Sequence, residues 1–274
     1  MKKKFEGVLL ASDIDNTLMH INTIPQANID AIKYFTDNGG YFTIASGRNP
    51  ITAIDIAKQS GANAPLVCLN GAMLYDFIKG QKIHDVLITE KIVEYVKVLG
   101  ERFPNICFAY TTDDGYYFNG FNEFTKTFGK DNMQASLQKG IYKLGIPKDC
   151  PKNLHKIVIL DFKENLDIIK KYGDEQNFDG VEFVKTSDTF LEIIPKNVNK
   201  GDGVLKLAEI LRVEQKNVAA IGDYDNDIQM LKKVGHSAAP QNAPDYIKQL
   251  ADVVVTKCEQ GAVADFIRYL DKLY

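Results

Sequence analysis

Two carboxylates and a hydroxyl follow an apolar segment near the start of the chain, where Asp13, Asp15 and Thr17 come after the run 8–11. Such a run predicts a β-strand, and the carboxylates then lie at its carboxyl end, where open α/β sheets bind ligands. Two acids this close repel each other unless a cation joins them. A hard divalent ion bound by oxygen ligands would resolve that repulsion. The same pattern is also typical of a strand that ends in a polar turn, which Asp and Asn favour.

Three further polar segments stand beside predicted elements of the same kind. They are Ser46-Gly47-Arg48 after a predicted strand over 41–45, Lys200-Gly201 at the start of a predicted helix, and Gly222-Asp223-Tyr224-Asp225-Asn226-Asp227 after a predicted strand over 218–221. Because the carboxyl ends of parallel strands share one edge of the sheet, these groups are expected to meet there. The result would be a cluster of carboxylates with a hydroxyl, free backbone N–H groups and an ammonium group.

This inventory suits phosphoryl transfer. A phosphate ester resists attack because its oxygens are negative, and both a divalent cation and a lysine neutralise that charge as it develops. A carboxylate nucleophile divides hydrolysis into two steps through an aspartyl-phosphate. A second carboxylic acid protonates the leaving oxygen and then takes a proton from the attacking water.

The order of the predicted strands and helices that must position these groups changes twice along the chain. The first 75 residues alternate strand and helix, which predicts parallel strands with covering helices; the third of these strands is predicted over 65–69. From about residue 72 to residue 195 strands and hairpins dominate, with turns at Lys79-Gly80 and Asp113-Asp114-Gly115. That pattern predicts an inserted antiparallel α+β layer. After Lys200 the strand–helix alternation returns, with its first helix predicted over 202–211.

The motifs S-D-I-D-N-T-L, A-S-G-R, N-K-G and G-D-Y-D-N-D resemble, in order and spacing, the four motifs of the haloacid dehalogenase superfamily. More narrowly, the chain resembles the Cof-type phosphatases over essentially its whole length. The resemblance implies an α/β fold in which a Rossmann-like parallel-sheet core carries an inserted α+β cap domain of the C2 type. The core is expected over residues 1–80 and 195–274, and the cap over residues 81–194.

The resemblance also implies roles for the motif residues. Asp13 would be the nucleophile, Asp15 the general acid/base, and Thr17 would order the loop between them. The residues expected to bind phosphate or substrate are Thr17, Ser46, Gly47, Arg48, Asn70, Lys200 and Asn242. The residues expected to bind Mg²⁺ or its waters are Asp13, Asp15 (through its backbone carbonyl), Asp223, Asn226 and Asp227.

The function expected from this resemblance is a Mg²⁺-dependent phosphatase that hydrolyses a small phosphorylated metabolite, such as a sugar phosphate, through an aspartyl-phosphate. A phosphotransferase or phosphomutase would use the same residues and pass the phosphoryl group to a sugar hydroxyl. A phospho-acceptor signalling module and a degenerate metal-binding scaffold are the non-enzymatic alternatives. Among single residues, Ser46 is also a candidate helix cap, and Asp225 is expected to be a solvent-facing loop acid.

Composition narrows the class of protein. The chain has 274 residues, 45% hydrophobic and 25% charged, with a net charge of −3, which is ordinary for a globular protein and gives no basic field for nucleic acid. No stretch approaches the roughly 20 apolar residues that span a bilayer, and Asp13 interrupts the apolar run that follows Lys2-Lys3-Lys4. We therefore expect a cytoplasmic protein, a monomer or weak homodimer, with no membrane or nucleic-acid partner. The four widely spaced cysteines, Cys68, Cys107, Cys150 and Cys258, are expected to be reduced, mostly buried thiols.

Overall fold

The computed structural model describes residues 3–112, 115–128, 142–145 and 153–274. The chain divides into two compact units, one formed by Met1–Asp85 with Val198–Tyr274 and the other by Val86–Asn197. These divisions lie a few residues beyond the expected boundaries at 80/81 and 194/195. None of the helices in the described ranges is long and apolar enough to cross a bilayer. The predicted turn residues Asp113 and Asp114, and Cys150, lie outside the described residues.

The secondary structure is as follows. The strands are β1 (Leu9–Ser12), β2 (Tyr41–Ile44), β3 (Leu66–Cys68), β4 (Met73–Asp76), β5 (Gln81–Asp85), β6 (Phe108–Thr112), β7 (Gly115–Phe118), β8 (Tyr142–Leu144), β9 (Leu154–Leu160), β10 (Val181–Lys185), β11 (Phe190–Pro195), β12 (Val218–Ile221), β13 (His236–Pro240) and β14 (Val253–Val255). The helices are α1 (Gln26–Asp37), α2 (Pro50–Ser60), α3 (Ile92–Arg102), α4 (Glu123–Phe128), α5 (Lys163–Gln176), α6 (Lys200–Leu211), α7 (Ile228–Lys233), α8 (Asp245–Lys248) and α9 (Ala262–Leu270).

The first unit is built on a five-stranded parallel sheet in the order β14-β13-β12-β1-β2. Its central strands β1 and β12 are buried along their whole length, as expected for parallel strands with both faces covered. The residues that follow β1 and β12 therefore lie side by side at one edge of the sheet. The predicted parallel core is confirmed.

The predicted third parallel strand is only partly correct. β3 meets the parallel sheet through a single bridge between Ala45 and Val67, and it otherwise pairs antiparallel with β4, which pairs with β5. The physical reason is the turn Leu69–Gly71, in which three successive residues have φ values of 54°, 55° and 97°. This left-handed backbone reverses the chain at once, so that β4 folds back on β3.

The predicted turn at Lys79-Gly80 joins β4 to β5, and Gly80 has a φ of 70°. Both strands belong to the first unit, because Leu74 packs with Val67 and Val204 in its core. The start of the hairpin-rich segment therefore precedes the change of unit.

The second unit contains a six-stranded sheet in the order β10-β11-β9-β6-β7-β8. Its pairs are antiparallel except for β7 with β8. Helices α3 and α5 contribute Ile92, Leu99, Leu166 and Ile169 to its hydrophobic core. The predicted antiparallel α+β insertion is confirmed, whereas α4 and β8 were not anticipated because both are short.

The cysteines within the described ranges, Cys68, Cys107 and Cys258, are free and buried. Burial is the leading cause that raises the pKa of Cys107 to about 11 and that of Cys258 to about 12. These side chains therefore act as small packing groups.

Candidate active site

Asp13 is positioned by the central pair of strands. It follows the last residue of β1, and its backbone N–H donates to the carbonyl of Ile221 at the end of β12, at 3.0 Å. The chain then turns sharply, because the N–H groups of Leu18 and Met19 both donate to the carbonyl of Ile14. Asn16 accommodates the turn with a φ of 59°, a conformation that Asn tolerates better than most residues.

Lys200 is the centre of the buried part of the site. Its Nζ lies 2.5 Å from Oδ1 of Asp13 and 2.7 Å from Oδ1 of Asp227, and its side chain is wholly buried. It is also the first residue of α6, because the side chain of Asn199 accepts a hydrogen bond from the N–H of Asp202 and caps the helix. The helix predicted from residue 202 therefore begins two residues earlier, with the ammonium group at its amino end.

The fourth motif brings two more acids to Lys200. Asp227 accepts hydrogen bonds on Oδ2 from the N–H groups of Asp223 and Tyr224, at 2.9 and 3.1 Å, so both of its oxygens are engaged. Thr17 donates its hydroxyl to Oδ1 of Asp223 at 2.7 Å. Gly222 is required here, since a Cβ at this position would lie 2.4 Å from the carboxyl carbon of Asp227.

The buried part of the site holds three acids and one lysine, and their mutual interactions and burial shift their pKa values. Burial raises the pKa of Asp13 to about 8, with Lys200 opposing and Asp227 and Asp223 adding to the rise. Burial also raises the pKa of Asp223 to about 6. Burial acts to lower the pKa of Lys200, but Asp13 and Asp227 outweigh it and raise that pKa above its ordinary value. Three carboxylates facing one ammonium group leave an excess of negative charge that a further cation would neutralise.

The same acids form a candidate metal site. Asp13, Asp223 and Asp227 are buried, and one carboxylate oxygen of each lies within 4.8 Å of the others. Carboxylate oxygens are the ligands that Mg²⁺ prefers, so the donor set fits such an ion. Because both oxygens of Asp227 are already hydrogen-bonded, Asp13 and Asp223 are the better placed to supply ligand atoms.

The second motif lies in a tight polar turn. Ser46 is buried, and its Oγ accepts a hydrogen bond from the N–H of Arg48 at 3.2 Å. The residue that caps α2 is Asn49, which accepts from the N–H of Thr52. The interpretation of Ser46 as the helix cap is therefore wrong. Gly47 is half-buried, and a Cβ there would meet the side-chain amide of Asn70 at 3.2 Å.

Asp15 and Arg48 form a separate pair at the rim. Nη2 of Arg48 lies 2.7 Å from Oδ1 of Asp15, and Nε lies 3.2 Å from Oδ2. The side chain of Asp15 is 58% exposed, whereas that of Asp13 is 11% exposed. The two acids of the first motif therefore lie in opposite surroundings.

Asn70 and its neighbour Gly71 together contact three of the four motifs. Its N–H donates to the carbonyl of Ser46 at 3.0 Å, and its Oδ1 accepts from the side chain of Asn226 at 3.2 Å. The next residue, Gly71, packs against Asn199, whose carbonyl oxygen would lie 2.2 Å from any added Cβ. Leu69 and Asn199 are positioning residues that the sequence reasoning missed, although the Asn before Lys200 in the N-K-G motif was a signal for one of them.

Asn242 ties two loops together rather than joining the buried group. It is exposed, donates to the backbone carbonyl of Asn16 at 2.9 Å and accepts from the N–H of Cys258 at 2.8 Å. Asp225, predicted to be a solvent-facing acid, is exposed and accepts a hydrogen bond from the hydroxyl of Tyr246 at 2.7 Å.

The structure thus brings the predicted site residues into three sets. The buried set is Asp13, Thr17, Lys200, Asp223 and Asp227; the turn set is Ser46, Gly47, Asn70 and Asn226; and the rim set is Asp15, Arg48 and Asn242. Buried carboxylates around one lysine at the carboxyl edge of a parallel sheet define a phosphoryl-transfer type of site.

Comparison with known proteins agrees with this chemistry. A model of the haloacid dehalogenase-like hydrolase family matches residues 10–267. An HMP-PP phosphatase of Yersinia enterocolitica is 28% identical over 268 residues, which cover 95% of this chain and 94% of that protein. A 5-amino-6-(5-phospho-D-ribitylamino)uracil phosphatase of Bacillus subtilis is 27% identical over 287 residues, covering 95% and 97%.

The fold is shared with solved structures. A phosphatase of the haloalkanoate enzyme superfamily from Bacteroides thetaiotaomicron superposes with a TM-score of 0.81 at 20% identity, covering 97% of this chain and 95% of that one. The chain belongs to the haloacid dehalogenase-like hydrolase family. It is an enzyme of the phosphatase type, and the predicted resemblance to the Cof-type members is confirmed.

Proposed function

We propose that the protein is a Mg²⁺-dependent phosphatase that hydrolyses a small phosphorylated metabolite through an aspartyl-phosphate on Asp13. The observation that carries the proposal is the environment of Asp13. Its buried carboxylate is paired with the ammonium group of Lys200, and one of its oxygens lies within 4.8 Å of a carboxylate oxygen of Asp223. A carboxylate that only ended a strand in a polar turn would have no need of a buried counter-charge. Burying charged groups costs free energy of folding, and a catalytic role explains why the protein keeps them buried here.

The first step forms a bond between an oxygen of Asp13 and phosphorus, while the bond from phosphorus to the ester oxygen breaks. Asp15, in its acid form, gives its proton to the departing alkoxide. In the second step the oxygen of water bonds to phosphorus and Asp15 takes the proton of that water. The carboxylate of Asp13 then leaves, and inorganic phosphate is released.

Lys200 keeps the nucleophile usable. Burial raises the pKa of Asp13, and a protonated carboxyl group is a poor nucleophile. The ammonium group of Lys200 favours the ionised form and also lies where the negative oxygens of the transferring phosphoryl group must be neutralised. Asp227 holds the ammonium group from its other side.

The ligands proposed for Mg²⁺ are the carboxylates of Asp13 and Asp223 and the backbone carbonyl of Asp15, with Asp227 and Asn226 supporting the ion or its waters. When bound, the ion supplies positive charge to the phosphoryl oxygens and to the nucleophile. Thr17 orients Asp223 through its hydrogen bond. Ser46, Gly47, Asn70 and Asn242 are proposed to shape the pocket for the phosphoryl group and the substrate.

Small phosphorylated metabolites are the proposed substrates. The named relatives include one that acts, by its name, on a phosphorylated ribitylaminouracil, and sugar phosphates offer the same chemical handle. The net charge of −3 does not favour polynucleotides. The segment 81–194 is proposed to be a C2-type cap domain that discriminates among leaving groups.

The test is the release of inorganic phosphate from a panel of phosphorylated metabolites, measured with Mg²⁺ and after treatment with EDTA. Hydrolysis of at least one ester that disappears in EDTA and returns with added Mg²⁺ is the expected result. Full activity without metal would contradict the proposal. An isomerised phosphosugar with no free phosphate would indicate a mutase, and a stable phosphoprotein without turnover would indicate a phospho-acceptor module.

A further inference from the structure

The contact between Arg48 and Asp15 has a geometry that only a guanidinium group provides. Two nitrogens of Arg48, Nη2 and Nε, reach the two oxygens of one carboxylate, at 2.7 and 3.2 Å. A fork of this kind fixes the plane of the carboxylate as well as its position. A lysine has a single point charge and fixes neither.

We propose that Arg48 is a positioning residue that acts through Asp15, and that it is not a ligand of the transferring phosphoryl group. The inference rests on the proposed function, in which Asp15 moves the protons. It departs from the sequence interpretation, which grouped Arg48 with the phosphate-binding residues.

Arg48 is anchored at both of its backbone polar groups. Its N–H donates to Oγ of Ser46 at 3.2 Å, and its carbonyl accepts from the N–H of Leu69 at 3.0 Å. Within the part of the chain that the structure describes, the side chain of Asp15 has Arg48 as its hydrogen-bond partner and is 58% exposed. Because the backbone of Arg48 is held within the second motif, its guanidinium group can hold the exposed carboxylate of Asp15 in one position.

The exposure of the pair argues that this contact serves chemistry more than stability. Exposed ion pairs contribute on average little to folding, so a merely structural pair would leave turnover unchanged when broken. Of the two contacts, Nε to Oδ2 is the longer, and Oδ2 is the oxygen that carries the proton in this proposal. Nη2 then holds Oδ1 while Oδ2 gives a proton to the leaving oxygen and later takes one from water.

The leaving group separates the two roles of Arg48. An alkoxide leaves poorly and needs its proton, whereas nitrophenolate leaves well without one. In the first step, a residue that acts by orienting the general acid matters for an alkyl phosphate and hardly matters for p-nitrophenyl phosphate. A residue that binds the phosphoryl group matters equally for both, since both esters carry the same group.

The experiment compares Arg48→Gln, Arg48→Lys, Asp15→Asn and the double variant Asp15→Asn/Arg48→Gln with the wild type. It measures kcat/KM on the best alkyl phosphate of the panel and on p-nitrophenyl phosphate, and inhibition by inorganic phosphate. The ratio kcat/KM reports the first step, because hydrolysis of the aspartyl-phosphate, which is the same for both esters, does not enter it. Arg268→Gln is the matched control, because it breaks an exposed Arg–Asp pair with Asp265 at 3.2 Å outside the site. Thermal unfolding of each variant confirms that it folds.

Since general acid–base catalysis contributes roughly 10²–10⁴-fold, we expect Arg48→Gln to lower kcat/KM on the alkyl phosphate by about 10- to 100-fold. The loss on p-nitrophenyl phosphate is expected to stay below about 3-fold, and inhibition by inorganic phosphate is expected to stay within about 2-fold, because the phosphoryl site is intact. Arg48→Lys should not restore the alkyl activity. In the Asp15→Asn background the Arg48 change should cost nothing more, since both act as one unit.

Equal losses on both esters, with phosphate inhibition weakened in parallel, would overturn the inference and make Arg48 a phosphate ligand. Full activity of Arg48→Gln on the alkyl phosphate, or rescue by lysine, would also overturn it. These results differ from failure of the proposed function, in which the wild type itself releases no phosphate from any ester and the inference falls with it.

Discussion

The interior and the rim of the candidate site each set a carboxylate against a cation, in opposite surroundings. Asp13 and Lys200 are buried with two further acids, whereas Asp15 and Arg48 form a forked pair with Asp15 mostly exposed. Asp13 and Asp15 are separated by one residue, so the difference does not come from their place in the sequence. It comes from the turn after β1, which leaves one carboxylate buried and the other exposed.

The comparison suggests a division of labour. In the interior, low polarity strengthens charge interactions, which suits bond formation to phosphorus and metal binding. It also raises the pKa of Asp13 and Asp223, and Lys200 opposes that rise and favours their ionised forms. At the rim, a carboxylate in contact with solvent can exchange protons with it. Pairs of titratable groups in contrasting environments are a common arrangement for dividing catalytic roles. Changes in the interior should therefore have larger effects than changes at the rim.

The largest expected effect follows from Asp13→Asn. An amide cannot form the acyl-phosphate, so hydrolysis should fall by a factor on the order of 10⁶, the scale seen when a covalent nucleophile is removed. The measurement is phosphate release with Mg²⁺ under single-turnover and steady-state conditions. Retention of even a tenth of the wild-type rate would show that the interior carboxylate is not the nucleophile.

Next comes the stability effect of Lys200→Met. Removing the cation leaves buried acids without their partner, and breaking a buried pair in this way costs about 3–5 kcal/mol. Urea unfolding of the metal-free protein measures the change. The control is Lys233→Met, which breaks the more exposed pair with Asp202 and is expected to cost about 0–1 kcal/mol. Equal costs for the two variants would mean that burial does not distinguish the interior.

The pH dependence of stability sharpens the same contrast. Because the folded pKa of Asp13 is about 8 and its ordinary value is 3.8, the folded protein holds a proton there that the unfolded chain has lost. The free energy of unfolding of the metal-free protein should therefore fall as pH rises from about 4 to about 8, and Asp223 acts in the same direction up to about 6.

Asp13→Asn should flatten this decline and make the metal-free protein more stable than the wild type at pH 8. Asp15→Asn at the rim is the matched control and should leave the decline in place. Thermal unfolding in EDTA across this pH range is the measurement. Parallel curves for the wild type and Asp13→Asn would contradict the assignment of the decline to the interior.

The smallest effect is expected at Asn242. Asn242→Ala removes the hydrogen bonds to the carbonyl of Asn16 and from the N–H of Cys258, which should cost about 1 kcal/mol each at most. Activity should fall only a few-fold, since the residue supports a loop and does not join the buried group. Urea unfolding and kcat on the best ester measure both effects. A loss of turnover comparable to that of Asp13→Asn would place Asn242 in the chemistry itself.

The amino-acid sequence determined the class of fold and the composition of the site. Strand–helix alternation with a hairpin-rich interruption predicted the parallel core and the antiparallel insertion, because hydrophobic period and turn residues are local properties of the chain. The four motifs predicted the carboxylates and Lys200 as site residues, because a motif is also a local property of the chain. The regularity of β3 was misjudged, since the left-handed turn at Leu69–Gly71 depends on close packing against Asn199.

Tertiary structure alone decided how those residues are used. No local pattern shows that Asp13 is buried and Asp15 exposed. Nor does one show that Asp227 contacts Lys200 with one oxygen and backbone N–H groups with the other, or that Arg48 pairs with Asp15. These outcomes depend on contacts between residues such as 13 and 200 that are distant in the chain, and on the burial that raises or lowers the free energy of a charge. Local sequence fixes which groups are present, whereas the packing of strands and turns fixes which of them lose their water.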